Sequence, residues 1–186
     1  MTSVDAELEP LRLAAVAGEP GAMEVLLLRV QPLLHRRCAR LLPHRSDAEE
    51  AAQDALLAVA TRLDTFTGRG SFSGWLQVVA SNCARSTYRN LRRRFVEEHG
   101  VDSLIGQRPE PRTTSVIAGS RLDLLDALEE LERVRPAVVE AFVLRDLGGL
   151  SYDEIAERTS TKLGTVKARI HEARIFLRSE LTERLS

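Results

Sequence analysis

Long Ala- and Leu-rich segments alternate along the chain with short breaks carrying Pro, Gly, Ser and Thr, and β-branched runs are too short to make strands. The pattern predicts an all-α protein. Helices are expected over residues 5–17, stopped by the Gly-Glu-Pro-Gly stretch 18–21, and over 22–42, where Pro32 should kink or interrupt the helix and Pro43 should end it. Ser46 and Glu49 have the spacing of a capping box and open a third helix over 47–63. Residues 65–73 (TFTGRGSFS) read as a loop, followed by a fourth helix over 74–95.

A composition shift comes next. Residues 99–120 hold Pro109, Pro111 and three Gly with no helical period, which predicts a flexible linker. Helices then resume over 122–131, 136–147, 151–158 and 165–181, with Pro136 suited to a first helical turn. The expected organisation is two small helical domains, 1–98 and 121–186, joined by the linker 99–120.

Composition narrows the class. Of 186 residues, 44% are hydrophobic and only 4% aromatic, so Leu, Ala and Val must build the core. No apolar stretch reaches the ~18 residues of a membrane span, and the acidic residues 1–10 lack the pattern of a secretory signal. A cytoplasmic location is expected. Cys38 and Cys83 form no CxxC pair, and His35 with Cys38 recruits no further ligands, so neither a disulfide framework, a metal, a cofactor nor a catalytic site is expected. The chain ends five residues after its last expected helix, so regulation by an appended C-terminal domain is not expected.

Net charge is −1, but the charge is polarised. Residues 47–54 carry four acids and no base; 81–94 carry five Arg and no acid; 123–157 carry ten acids against three bases; 162–178 carry five bases and one acid. Such blocks suit a protein that meets one acidic partner and one basic partner.

Two segments carry chemistry. In the first, Ser151 can cap a helix with Glu154 at the reciprocal position, Ile155 and Ala156 point inward, and LGTVK follows five residues after Glu157. Thr165 stands at an N-cap position. On a helical wheel Val166, Ile170, Ala173 and Leu177 share one face, while Lys167, Ala168, His171 and Arg178 lie opposite. This is a helix-turn-helix pattern whose second helix fits a major groove. In the second segment Arg85, Arg89 and Arg92 make a basic stripe beside Phe72 and Trp75, the ingredients of a surface for melted DNA. For Trp75 a core anchor is the better reading.

Taken in order, these segments resemble a bacterial sigma factor of the extracytoplasmic-function group of the sigma-70 family, over nearly the whole chain. Residues 47–54 (DAEEAAQD) resemble the helix that binds core RNA polymerase. Phe66 through Trp75-Leu76 and then Ala80-Ser81-Asn82 resemble the segment that melts and reads the −10 element, and residues 151–174 resemble the −35 reader. The resemblance implies an alternative sigma factor with no catalytic site. Asp47, Glu50, Gln53 and Asp54 would dock on the β′ clamp helices. Phe66, Phe72, Trp75, Asn82, Arg85, Tyr88, Arg89 and Arg92 would engage the −10 element, with a flipped base captured by the loop and Asn82. The linker would thread toward the RNA exit channel. The C-terminal domain would sit on the β flap and place Thr165, Lys167, Ala168, Arg169, His171, Glu172, Arg174 and Arg178 at the −35 groove. An anti-sigma factor is an implied further partner.

The chain departs from the family pattern at four places. Ser160 stands where the turn usually has Gly, at a cost of roughly 1 kcal/mol if the residue is left-handed. Glu172 stands where Arg is common; it would repel phosphate but could accept from cytosine N4. Ser86 replaces a common Asp, and Ala51-Ala52 is smaller than the usual aliphatic pair. The rival reading is a two-domain helix-turn-helix regulator that is not a polymerase subunit; it requires neither the acidic patch nor the loop-Trp-Asn segment.

Overall fold

The computed structural model describes residues 3–68, 70–99 and 116–185. Every regular element among them is helical: α1 (Ser3–Val16), α2 (Ala22–Leu41), α3 (Arg45–Arg62), α4 (Phe72–His99), α5 (Val116–Val134), α6 (Pro136–Phe142), α7 (Tyr152–Arg158) and α8 (Leu163–Leu185). The all-α expectation holds. Most of the expected linker, 100–115, lies outside the described residues, as does Arg69 of the loop. The backbone of 116–120 is helical and extends α5 into the stretch expected as linker.

The N-terminal domain packs α1–α4 around one core. α2 contributes Leu26, Val30, Leu34 and Cys38, spaced four apart on one face, and runs unbroken through Pro32. Pro32 was expected to interrupt it. The ring sits on the exposed side, so the carbonyl it leaves unbonded can meet water while the buried face holds the helix together. α3 buries Ala48, Ala51, Ala52, Ala55 and Val59, and these small side chains let its backbone approach α2 and α4 closely. Ala51 and Ala52 thus act on packing rather than on a partner.

The capping box expected at Ser46 and Glu49 does not form. Glu49 instead accepts from Arg45 Nε at 2.7 Å, and the Ser46 hydroxyl donates to Asp47 at 3.1 Å. With Glu49 taken by the arginine four residues back, His44 precedes the helix without a side-chain cap. α4 receives its start from elsewhere: the buried Asp5 of α1 accepts the Ser73 N–H at 2.8 Å.

The C-terminal domain builds a second core from Leu128 and Leu131 of α5, Val138, Val139 and Phe142 of α6, Ile155 of α7, and Val166, Ile170, Ala173 and Leu177 of α8. Pro136 occupies the first turn of α6 as expected. α6 runs into a π-helical turn over Val143–Leu147, closed by Gly148 N–H donating to the Val143 carbonyl at 2.8 Å.

The two domains pack on each other. Val78 of α4 belongs to the second core and Leu125 of α5 to the first. A Cβ at Gly148 would collide with Val78 and with the Leu144 carbonyl, so only glycine allows α4 this close to the π turn. Arg37 of α2 spans the seam, donating to Ser81 Oγ at 2.9 Å and to the Leu147 carbonyl at 2.8 Å. Burial, then the neighbouring Arg40 charge, hold Arg37 below the ordinary arginine value. Arg121 of α5 donates to the Ala39 carbonyl at 3.1 Å.

Candidate polymerase and nucleic-acid interfaces

The outer face of α3 carries the expected acidic ridge. Because Ala48, Ala51, Ala52 and Ala55 take the inner face, Glu50, Gln53 and Asp54 are left exposed, with Asp47 half-buried one turn earlier. Glu50 and Asp54 make no ion pair among the described residues. Beside the ridge lies a feature that sequence reasoning missed. Leu28 of α2 and Leu57 of α3 are each 63% exposed. Met23, Leu27, Leu28 and Leu56 line an open apolar groove of about 550 Å³. The available signal was the uninterrupted Leu26-Leu27-Leu28 run, of which one helix face can bury only Leu26.

The −10 residues fall into two groups. Phe66, Phe72 and Trp75 are all buried, at 8%, 2% and 5% exposure. Phe72 stacks on Trp75 with centroids 5.6 Å apart, and Phe66 is tilted against both at 5.2 and 6.0 Å. Arg12 caps the Phe66 ring at 5.3 Å. The rings are thus the floor under the 65–73 loop, not its surface. The core-anchor reading holds for Trp75 and extends to both phenylalanines, because a cluster this apolar gains more from burial than an isolated ring at a surface would. Asn82 is exposed on α4.

Arg85, Arg89, Arg92 and Tyr88 do share a stripe, and carboxylates of α5 pair with it, although Arg89 stays exposed. Arg85 and Arg89 both reach Glu132 of α5, at 2.7 and 2.9 Å. Arg92 lies 3.0 Å from Asp126 and 3.2 Å from Glu129. The Tyr88 hydroxyl donates to Asp126 at 2.5 Å. Burial, then this bond, push Tyr88 well above the ordinary tyrosine value. Burial pulls Arg92 down, but the charges of Asp126 and Glu129 outweigh it and leave Arg92 raised.

The helix-turn-helix forms as expected. Ser151 and Glu154 complete a reciprocal capping box: the Ser151 N–H donates to Glu154 at 2.6 Å and the Glu154 N–H to Ser151 Oγ at 3.2 Å. The turn keeps a left-handed residue, Ser160 at φ 51°, the only non-glycine with positive φ among the described residues. α8 begins at Leu163, so Thr165 lies inside its first turn instead of capping it. Val166, Ile170, Ala173 and Leu177 are buried, and Thr165, Lys167, Ala168, His171 and Arg178 are exposed, with Arg169 half-buried.

Arg174 and Glu172 of α8 are held by ion pairs. Arg174 makes a two-pronged pair with Asp146, at 2.6 and 2.9 Å, which holds its guanidinium above the ordinary value. Glu172 pairs with Arg135 at the start of α6.

Two family models cover this architecture in order: sigma-70 region 2 matches residues 26–94 and sigma-70 region 4 matches residues 121–177. The chain belongs to the sigma-70 family, in its extracytoplasmic-function group. It is 33% identical over 174 residues to the "ECF RNA polymerase sigma factor SigE" of Mycolicibacterium smegmatis, covering 91% of this chain and 66% of that protein. It is 29% identical over 165 residues to the "ECF RNA polymerase sigma-E factor" of Escherichia coli, covering 84% of this chain and 85% of that one. Among solved structures, CnrH in complex with the cytosolic domain of CnrY has the same fold, with a TM-score of 0.51 and 22% identity over 93% of this chain and 96% of that one. No helix among the described residues is long and apolar enough to cross a membrane.

Proposed function

We infer that this protein is an alternative sigma factor: it binds core RNA polymerase, recognises the −35 and −10 elements of promoters and melts DNA at the start site. The observation that carries this reading is one chain with both an acidic ridge on α3, whose Glu50 and Asp54 make no ion pair among the described residues, and a helix-turn-helix whose α8 exposes Lys167, Ala168, His171 and Arg178 over a fully buried apolar back. A regulator that acts without the polymerase has no use for the first of these. The family membership supports the same reading.

The parts divide as follows. Asp47, Glu50, Gln53 and Asp54, with the adjoining groove lined by Leu28 and Leu56 and the exposed Leu57, dock on the basic clamp helices of the polymerase. Asn82 captures a base of the melted −10 strand, and Arg85, Arg89 and Arg92 hold its phosphates. The exposed face of α8 reads the −35 groove. Residues 1–98 and 121–186 act as separate promoter-binding domains joined by 99–120. The protein performs no catalysis of its own, works in the cytoplasm, and is held by an anti-sigma factor when not needed.

The test is reconstitution. Purified protein added to core RNA polymerase should give promoter-dependent transcripts from a randomised promoter library. Asp47→Arg with Asp54→Arg should lose competition against a second sigma factor while the protein keeps its helical circular dichroism. Asn82→Ala should reduce permanganate reactivity of the melted region more than closed-complex binding. DNA binding without any core-dependent transcript would overturn the reading in favour of a conventional regulator.

A further inference from the structure

α1 carries two of the five polar or charged side chains that are buried among the described residues, Asp5 at 4% and Arg12 at 8% exposure. A buried charge costs folding energy unless a partner holds it, and both of these contact the ends of the 65–73 loop. The Asp5 carboxylate accepts the Ser73 N–H at 2.8 Å, from the second residue of α4. The next amide of that helix, on Gly74, donates to the loop's own Ser71 Oγ at 3.0 Å. The start of α4 is therefore capped twice, once from within the loop and once by a carboxylate on another helix, where the helix dipole favours a negative charge. At the other end of the loop the Arg12 guanidinium lies over the Phe66 ring at 5.3 Å. Glu9, one turn earlier on α1, accepts from Arg12 at 2.9 and 2.5 Å and fixes the guanidinium in place.

Asp5 and Arg12 lie two turns apart on one face of α1, about 10 Å along its axis. Leu8, between them and 2% exposed, anchors that face in the N-terminal core. α1 thus acts as a bar with one hold at each end of the loop. The tip between the holds has little stiffness of its own. Thr67, Gly68, Gly70 and Ser71 are exposed, and both glycines take φ 78°. Asn82 stands on α4, the helix whose first turn Asp5 caps.

We propose that Asp5 and Arg12 of α1 are positioning residues for promoter melting: they hold the two ends of the 65–73 loop so that its exposed tip and the start of α4 present one fixed surface to the melted −10 strand. This rests on the reading of the loop and Asn82 as the −10 site. Where only a fraction of molecules holds the loop in place, apparent affinity for the strand falls by that fraction. Closed complexes depend on duplex contacts made elsewhere, above all by α8, so the loss falls on opening.

The experiment uses the full chain with core RNA polymerase and a promoter recovered from a randomised library. Closed-complex affinity is read by anisotropy of labelled duplex in the cold, and opening by permanganate reactivity of the −10 thymines after warming. The variants are Asp5→Ala, Asp5→Asn and Arg12→Ala, with Val30→Ala as a stability control, since Val30 is a fully buried core residue of α2. Asp5→Ala and Arg12→Ala should each lower the opened fraction about fivefold while closed-complex affinity changes less than about twofold. Asp5→Asn keeps an oxygen acceptor for the Ser73 N–H and should recover most of the opening. Val30→Ala should lower Tm by a similar amount and leave opening unchanged. If Asp5→Ala does not fold, Arg12→Ala carries the same comparison. Loss of opening in Val30→Ala in proportion to its Tm, or equal loss of closed and open complexes in the α1 variants, would mean that α1 serves only the fold and would overturn the proposal. Asn82→Ala separates the remaining failures. Opening lost in Asn82→Ala but intact in Asp5→Ala and Arg12→Ala overturns only the positioning role; opening intact in all three overturns the −10 reading beneath it.

Discussion

Replacing Phe72 by Leu separates a core ring from a base-stacking ring. Phe72 is 2% exposed, lies nearly parallel to Trp75 at 5.6 Å and touches Phe66 at 5.2 Å. Leu keeps an apolar side chain in the site but loses two aromatic contacts, each worth about 0.5–1.5 kcal/mol, and leaves a small void whose cost is well below the ~3–5 kcal/mol of a full Phe→Ala truncation. The sum is about 2–3 kcal/mol. For a chain of this size that lowers Tm by about 4–12 °C and leaves the protein folded at 25 °C. Trp75 is the only tryptophan, so its fluorescence follows this cluster directly. Melting curves of parent and Phe72→Leu, read by Trp75 emission and by circular dichroism, should show this drop. Titration with single-stranded DNA below the transition should show the same affinity for both and no quenching of Trp75. An unchanged Tm together with lost affinity, or strong quenching of Trp75 by DNA, would refute the argument: the rings would then be the stacking platform and not the floor beneath it.

Two further outcomes follow from the helix-turn-helix. Ser160→Gly should raise stability by about 1 kcal/mol, seen as a Tm increase of a few degrees, because Ser160 holds φ 51° without the freedom of glycine. Glu172→Arg should strengthen binding to every member of a randomised −35 library and steepen the salt dependence by up to about two units, since it removes an acid and also releases Arg135; a shifted preference at one −35 position would show instead that Glu172 reads a base.

Local structure was legible where one short segment decides it. The Ser151–Glu154 box, Pro136 in a first turn and the buried Val166, Ile170, Ala173 and Leu177 face all depend on residues within a few turns of each other, and all are present. The misreadings share a cause: a competing partner that local spacing does not reveal. Glu49 had two possible partners, and Arg45 outcompeted the backbone amide of the expected cap. Pro32 was read by its usual effect on a helix, but its exposed position and the buried residues around it removed the penalty. Phe66, Phe72 and Trp75 could be either a platform or a core until α1, with Arg12 over Phe66, was seen to close the cluster.

The charge blocks carry the larger lesson. Their polarity was visible in the sequence, and a net charge of −1 was read as concealing surfaces for two external partners. The α3 ridge is left available for such a partner, because Glu50 and Asp54 make no ion pair among the described residues. For the α4 arginines and the α5 acids the complement is internal: the blocks lie about 40 residues apart in sequence and meet face to face, at 2.7–3.2 Å. Opposite blocks of similar size on one chain, joined by a connection long enough to fold back, have a high effective concentration for each other. They will pair unless something holds the domains apart. A near-neutral total in a nucleic-acid-binding protein is therefore informative in itself. Here the matching acid lies on α5, the helix whose Leu125 also packs into the N-terminal core, so charge and apolar contact join the two domains at the same place.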